Sequence, residues 1–249
     1  MQSLTYSFLA GTSTVLGAIV LMFVGSPGHK TMASLLGFAG GIMVAVSLFE
    51  LVPEAVELGS MTVMTAGFLL GCGLMYLLDR ALPHAHLSET DHLEVENPEH
   101  LHIKSRGVLR TGYLIFLGIA LHNVPEGLAI GAGLESSPRL GLAIAVAMGL
   151  HNVPEGLAVA GPLKAGGLSN LRVCLFTLGA GLMTVVGTAL GLLVFRISEA
   201  FIAGSLAFAA GAMMYIVNDE LIPQSNSMHS HSANAGLIAG LVIGFFLFL

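Results

Sequence analysis

Tryptophan is absent from this 249-residue chain, cysteine occurs twice, and only 10 % of the residues are charged. So few charges cannot coat a soluble domain of this length. The two cysteines, Cys72 and Cys174, both fall inside apolar runs. They exclude a disulfide framework and read as small packing residues. No Lys- or Arg-rich stripe offers a nucleic-acid surface, and the net charge of −6 is modest. The first residues, MQSLTYSFLA, lack the basic segment that opens a secretory signal, so the first apolar run reads as a retained span. What the chain has instead is 55 % hydrophobic residues and 32 glycines. Gly, Ala and Ser fill the apolar runs, as where helices approach closely in lipid. This is the composition of an all-α polytopic membrane protein whose first partner is the lipid bilayer.

Eight stretches are long and apolar enough to cross about 30 Å of hydrocarbon, which takes roughly 20 helical residues. They are Leu4–Val24, Thr31–Val56, Met61–Leu82, Thr111–Gly133, Leu140–Pro162, Leu171–Phe195, Ala200–Ile222 and Ser232–Leu249. One hydrophilic segment of any size, Pro83 to Arg106, separates spans three and four. With both termini outside, the inner face holds Lys30, Arg80, Lys104, Arg106, Arg110, Lys164 and Arg172, and the outer face only Arg139 and Arg196. Seven against two sets that orientation and makes the Pro83–Arg106 loop cytoplasmic. The whole chain, 1–249, reads as a single transmembrane domain.

The chain repeats itself at an offset of 170. Phe38–Met43 of span two aligns with Phe208–Met213 of span seven, and Glu50-Leu51-Val52-Pro53 with Glu220-Leu221-Ile222-Pro223. Gly11, Thr14, Val15 and Gly17 of span one match Gly181, Thr184, Val185 and Gly187 of span six. Spans one to three therefore resemble spans six to eight, and an odd number of crossings per unit inverts one copy relative to the other. Inverted repeats of interrupted helices characterise secondary transporters, with the substrate near the midplane.

Spans four and five fit that symmetry, because each carries LHNVPEGLA: Leu121–Ala129 and Leu150–Ala158. A charged group at bilayer depth costs on the order of 2.5–3.5 kcal/mol or more, so such groups ask for a function. His122, Asn123 and Glu126 share one helical face through their i,i+3 and i,i+4 spacing, as do His151, Asn152 and Glu155. Two such faces offer two imidazoles, two carboxylates and two amide oxygens. That set suits Zn²⁺, Fe²⁺ or Mn²⁺ better than Mg²⁺ or Ca²⁺, which prefer oxygen shells. Pro125 and Pro154 deprive the Leu121 and Leu150 carbonyls of helical partners, so each helix can kink there.

Other polar groups extend the pathway. Glu50 of span two would lie near the outer face, and Asp219 and Glu220 of span seven near the cytoplasm, as ligands for an ion arriving and leaving. Met43, two turns below Glu50, carries a thioether that could touch the ion. His84, His86, His92, His100 and His102 stand among five acids in the hydrophilic loop, a tract for weak transition-metal binding or for plain solvation.

Paired HNVPEG motifs, the Phe49–Ala55 FELVPEA and Asp219–Pro223 DELIP segments, and the Asp79–His86 DRALPHAH boundary together resemble the ZIP family of divalent metal transporters, in its bacterial zinc-uptake branch. The likeness covers nearly the whole chain. It implies eight helices arranged three-two-three, a binuclear metal centre between helices four and five, and metal movement into the cytosol of a cell with this protein in its inner membrane. Carried over, the main site uses His122, Glu126, His151 and Glu155, with Met43 contributing. An adjacent site uses Asn123, Asn152 and the bridging carboxylates Glu126 and Glu155. Family members often add a helix-six Glu to that second site, where this chain has Thr184 and no acid in the span, so a weak or regulatory second site is expected. The metal is then a transported substrate, with no catalytic cofactor, and a homodimer is left open. The competing reading is an intramembrane metal-dependent hydrolase, which would need a general base and an open coordination position. HExxH is absent, and the motif carboxylates are better placed as ligands.

Overall fold

The computed structural model describes residues 2–81, 85–86, 94–95, 108–194 and 198–247. His84, His92, His100 and His102 of the hydrophilic loop lie outside the described residues, as do Lys104, Arg106 and Arg196. The described chain is helical throughout apart from two two-residue strands, β1 (Ala85–His86) and β2 (Glu94–Val95), paired antiparallel. Helices run as α1 (Gln2–Val24), α2 (His29–Val46), α3 (Val52–Leu58), α4 (Met61–Ala81), α5 (Val108–Ser136), α6 (Pro138–Ala165), α7 (Asn170–Val194), α8 (Glu199–Ile216) and α9 (Ile222–Leu247).

Among the described residues, seven helical stretches are long and apolar enough to cross a membrane. Large apolar side chains such as Phe23, Leu70, Leu193 and Phe246 stand exposed on the outside, while His and Glu side chains are buried inside. The chain is a polytopic helical membrane protein. The last stretch, Glu199–Leu247, has 49 residues, and its helical backbone is interrupted at His229, which has φ −170° and ψ 99°. The Ser232 N–H donates to His229 Nδ1 at 3.2 Å, so the ring caps the helix that follows.

Two π-helical turns join the helices on either side of them: Ser47–Leu51 between α2 and α3, and Val217–Leu221 between α8 and α9. Their wider bonds are explicit: the Val52 N–H donates to the Ser47 carbonyl and the Ile222 N–H to the Val217 carbonyl. A proline follows each, Pro53 and Pro223, and has no N–H for the carbonyl four residues back. Widening the turn moves that carbonyl away from the ring, and the turn carries Glu50 in one case and Glu220 in the other. By contrast, α5 and α6 run on as helices through Pro125 and Pro154.

The helices pack in two groups. In one, α1 lies against α6 and α7, and α5 against α6 and α7. In the other, α2 lies against α9 and α4 against α8. Glycines let backbones touch within each group: a Cβ at Gly127 would overlap the Thr184 carbonyl, one at Gly156 the Thr14 carbonyl, and one at Gly211 the Phe68 carbonyl. The groups meet where α5 crosses α8 and α2 crosses α6.

Candidate metal centre

His122, Asn123 and Glu126 on α5 and His151, Asn152 and Glu155 on α6 are at most 1 % exposed. The pairs form between helices. His151 Nε2 lies 2.9 Å from Glu126 Oε1, and His122 Nε2 lies 3.3 Å from Glu155 Oε1 without hydrogen-bond alignment. His151 Nε2 also approaches Glu155 Oε1 to 3.8 Å. His122, Glu126 and Glu155 each offer a ligand atom within 4.8 Å of the others.

Each helix-to-helix geometry has a chemical consequence. A carbonyl can only accept, so His151 Nδ1, 3.2 Å from the Ala147 carbonyl, is the protonated nitrogen. His151 Nε2 meets the Glu126 carboxylate at 2.9 Å, as an N–H donor when the ring is an imidazolium or as a fellow ligand of a shared cation when it is neutral. Glu126 Oε2, both Glu155 oxygens and both His122 nitrogens have no hydrogen-bond partner among the described residues. Buried acceptors left so are costly, and a borderline divalent cation satisfies them with the imidazole and carboxylate donors it prefers.

The asparagines are held by their amide nitrogens. Asn123 Nδ2 donates to the Ala180 carbonyl of α7 at 2.8 Å, and Asn152 Nδ2 to the Ala10 carbonyl of α1 at 3.0 Å. Their Oδ1 atoms are buried and unpartnered, as is the Thr184 hydroxyl on α7. These oxygens suit a second, oxygen-rich position beside the first.

A cavity of about 30 Å³ adjoins the cluster. Its lining includes the polar side chains of His122, Glu155, Glu220 and Gln224 together with apolar ones such as Ile115, Ile119 and Leu221. Glu220 is thus joined to the cluster, whereas its neighbour Asp219 is half-buried and does not line the cavity. Glu50 is half-buried in the opposite π turn, with Glu54 and Arg139 as the charges that act on it. Met43 is fully buried in α2, which packs against α6. Gln224 escaped notice in the sequence, although it stands one helical turn beyond Glu220 and 170 residues beyond Glu54. Thr188 escaped too: its hydroxyl donates to the Gly127 carbonyl at 2.6 Å and meets the Ser7 hydroxyl at 2.5 Å, tying α7 to α5 and α1.

The ZIP zinc transporter family profile matches residues 80–249. The chain is 36 % identical over 252 residues to a zinc transporter ZupT of Shigella flexneri serotype 5b, covering 99 % of this chain and 96 % of that protein. It is 37 % identical over 257 residues to ZupT proteins of Escherichia coli O7:K1 and Escherichia coli K12, with the same coverage. The chain belongs to the ZIP family. ZIP proteins are transporters, so this protein is a divalent-metal transporter and not an enzyme, and the hydrolase reading has no support. The buried His/Glu group fits a metal site in such a transporter.

Proposed function

We propose that this ZIP transporter moves zinc into the cytosol through the centre formed by His122, Glu126, His151 and Glu155. The observation that carries the reading is the convergence of two buried His–Glu pairs from α5 and α6. The ligand set also accommodates Fe²⁺, Mn²⁺, Co²⁺ and Cd²⁺. The metal is substrate, and no catalytic cofactor is invoked. Asn123, Asn152 and Thr184 supply a second, weaker position that shares the carboxylates, and Met43 closes the first from the α2 side. Glu50 receives the ion, and Glu220 and Gln224 lead it away with Asp219 beside the route.

Eight crossings in a single domain, 1–249, follow from dividing Glu199–Leu247 at His229. At 1.5 Å per residue, 49 helical residues would reach roughly 74 Å, more than twice the hydrocarbon thickness. The three-two-three inverted repeat has support beyond sequence. Asn123 bonds Ala180 where Asn152 bonds Ala10; Gly127 abuts Thr184 where Gly156 abuts Thr14; and both π turns fall 170 residues apart. Lys and Arg placement supports both termini outside in a cell inner membrane, which puts Glu50 outermost and Glu220 innermost. The His84–His102 segment then faces the cytosol as a metal acceptor. Two copies of the chain side by side remain compatible with this arrangement.

Alternating access would move α1, α5, α6 and α7 as one body against α2–α4, α8 and α9. This grouping differs from the one the repeat suggests, in which spans one to three and six to eight move against spans four and five. It follows from glycine-mediated backbone contacts that lock α1 and α7 to α5 and α6. Uptake of radiolabelled zinc into proteoliposomes tests the reading. Wild-type protein should accumulate metal, and Glu126→Ala with Glu155→Ala should abolish accumulation; uptake at wild-type level in the double variant would refute the assigned site.

A further inference from the structure

The two ends of the interface between the helix bundles are not equivalent. At the Glu50 end, the Ser136 hydroxyl at the close of α5 donates to Glu54 Oε1 on α3, so one bundle is bonded to the other. Arg139, at the start of α6, supplies the positive charge acting on Glu50 of the same acidic pair. Shifting α5 onto α6 by the 29 residues that separate the two HNVPEG motifs finds the positions that hold these places at the other end. Ser136 corresponds to Ala165 and Arg139 to Leu168, while the 170-residue offset takes Glu54 to Gln224 and Glu50 to Glu220. Ala165 and Leu168 have no polar side chain with which to bridge. Gln224 and Glu220 line the cavity instead.

Accessibility follows the same division. Ile115, Ile119 and Leu221 line the cavity beside Glu220 and keep 8, 7 and 5 % exposure, while Leu36 in the same lining is 0 % exposed. Their counterparts at the Glu50 end, Leu206, Ile144, Met148 and Leu51, are each 0 % exposed. The end joined through Ser136 and Glu54 is closely packed, and the cavity lies beside Glu220 and Gln224, where the counterparts of Ser136 and Arg139 are apolar.

We propose that Ser136, bonded to Glu54, forms a latch that holds the outer end of the pathway closed, with the charge of Arg139 acting beside it on Glu50. The latch makes the inward-open arrangement the resting state of a transporter whose two ends are otherwise built alike. Because Glu50 is also the first carboxylate an arriving cation meets, metal competes with Arg139 for it and loosens the latch from outside. The latch rests on the transport reading and on the bundle movement given above.

Accessibility of paired cysteines tests it. In a Cys72→Ser, Cys174→Ser background, Leu51→Cys reports the outer end and Leu221→Cys the inner. A membrane-impermeant maleimide is applied to right-side-out and inside-out vesicles respectively. Adding Ser136→Ala or Glu54→Ala should raise the Leu51→Cys labelling rate about tenfold, the scale of one lost hydrogen bond to a charged group, and lower the Leu221→Cys rate. Ser136→Thr keeps the hydroxyl and should leave both rates at the parent level. Arg139→Gln, an exposed change, should give a smaller rise in the same direction. Unchanged rates at both cysteines, or rises at both, would overturn the latch. Zinc uptake by the parent protein separates the two ideas: uptake with unchanged labelling removes the latch alone, and absence of uptake removes the transport reading.

Discussion

His122 and Glu126 lie one turn apart on α5, and their spacing suggests a pair within one helix; the close approaches run instead between α5 and α6, His122 to Glu155 and His151 to Glu126. The residue types and their shared face were legible because an i,i+4 spacing is a local property. Cross-pairing was not, because it depends on the register in which α5 meets α6, and that register comes from tertiary contacts such as Gly112 against Leu163 and Gly141 against Leu134. The same limit hid Thr188 and Ser7, which look like any small polar residues until three helices bring them together. Because each carboxylate serves the histidine of the other helix, losing either breaks one cross-helix pair and removes a ligand from the shared cluster. Glu126→Gln or Glu155→Gln should each weaken zinc binding about 100-fold, the scale expected when a buried charge loses its partner. Isothermal titration of purified protein checks this. Asn123→Ala, which removes a bond to Ala180 and an oxygen outside the His–Glu pairs, should change that affinity less than about fivefold.

At the scale of elements, the E-L-[VI]-P repeat was visible as a motif, with a proline closing each copy. That both copies form a π turn was not visible, since a proline is equally compatible with a kink or a stop. The π turn matters because one extra residue per turn shifts the face on which Glu220 sits by roughly 100°. Pro223→Ala should let the turn relax to α-helical geometry and carry Glu220 away from the cavity. Uptake should fall severalfold while equilibrium zinc affinity stays within about threefold, a split that flux and titration measured on the same preparation would reveal. Glycine contacts give the second prediction at this scale. Gly156→Ala places a Cβ into the Thr14 backbone, so α6 must draw back from α1. Overpacking of that kind costs about 1–3 kcal/mol, and a lowered melting temperature in detergent should follow. Gly161, with open space around its Cβ position, should tolerate alanine. The boundary between the last two spans was legible as the gap between Ile222 and Ser232, though its reduction to one non-helical residue, His229, was not.

Across the whole molecule, the 170-residue repeat in the sequence anticipated contacts that recur in pairs: Asn123 with Ala180 and Asn152 with Ala10, Gly127 with Thr184 and Gly156 with Thr14. Sequence similarity identifies which segments are copies, but it does not say which helices share a body. Here α1 and α7, one from each copy, pack with α5 and α6, while α2, α4, α8 and α9 form the other body. Copies that are equivalent in sequence therefore meet across a single interface, with the His–Glu cluster on one side of it and Glu50 and Glu220 on the other. The cavity reaching Glu220 gives that interface a direction, and the central claim is that metal crosses it through the cluster. Zinc flux into proteoliposomes, with wild-type and Glu126→Ala/Glu155→Ala proteins reconstituted at equal density, tests that claim most directly. Saturable zinc accumulation by the wild type and background accumulation by the variant is the predicted result. Equal accumulation by both would contradict it.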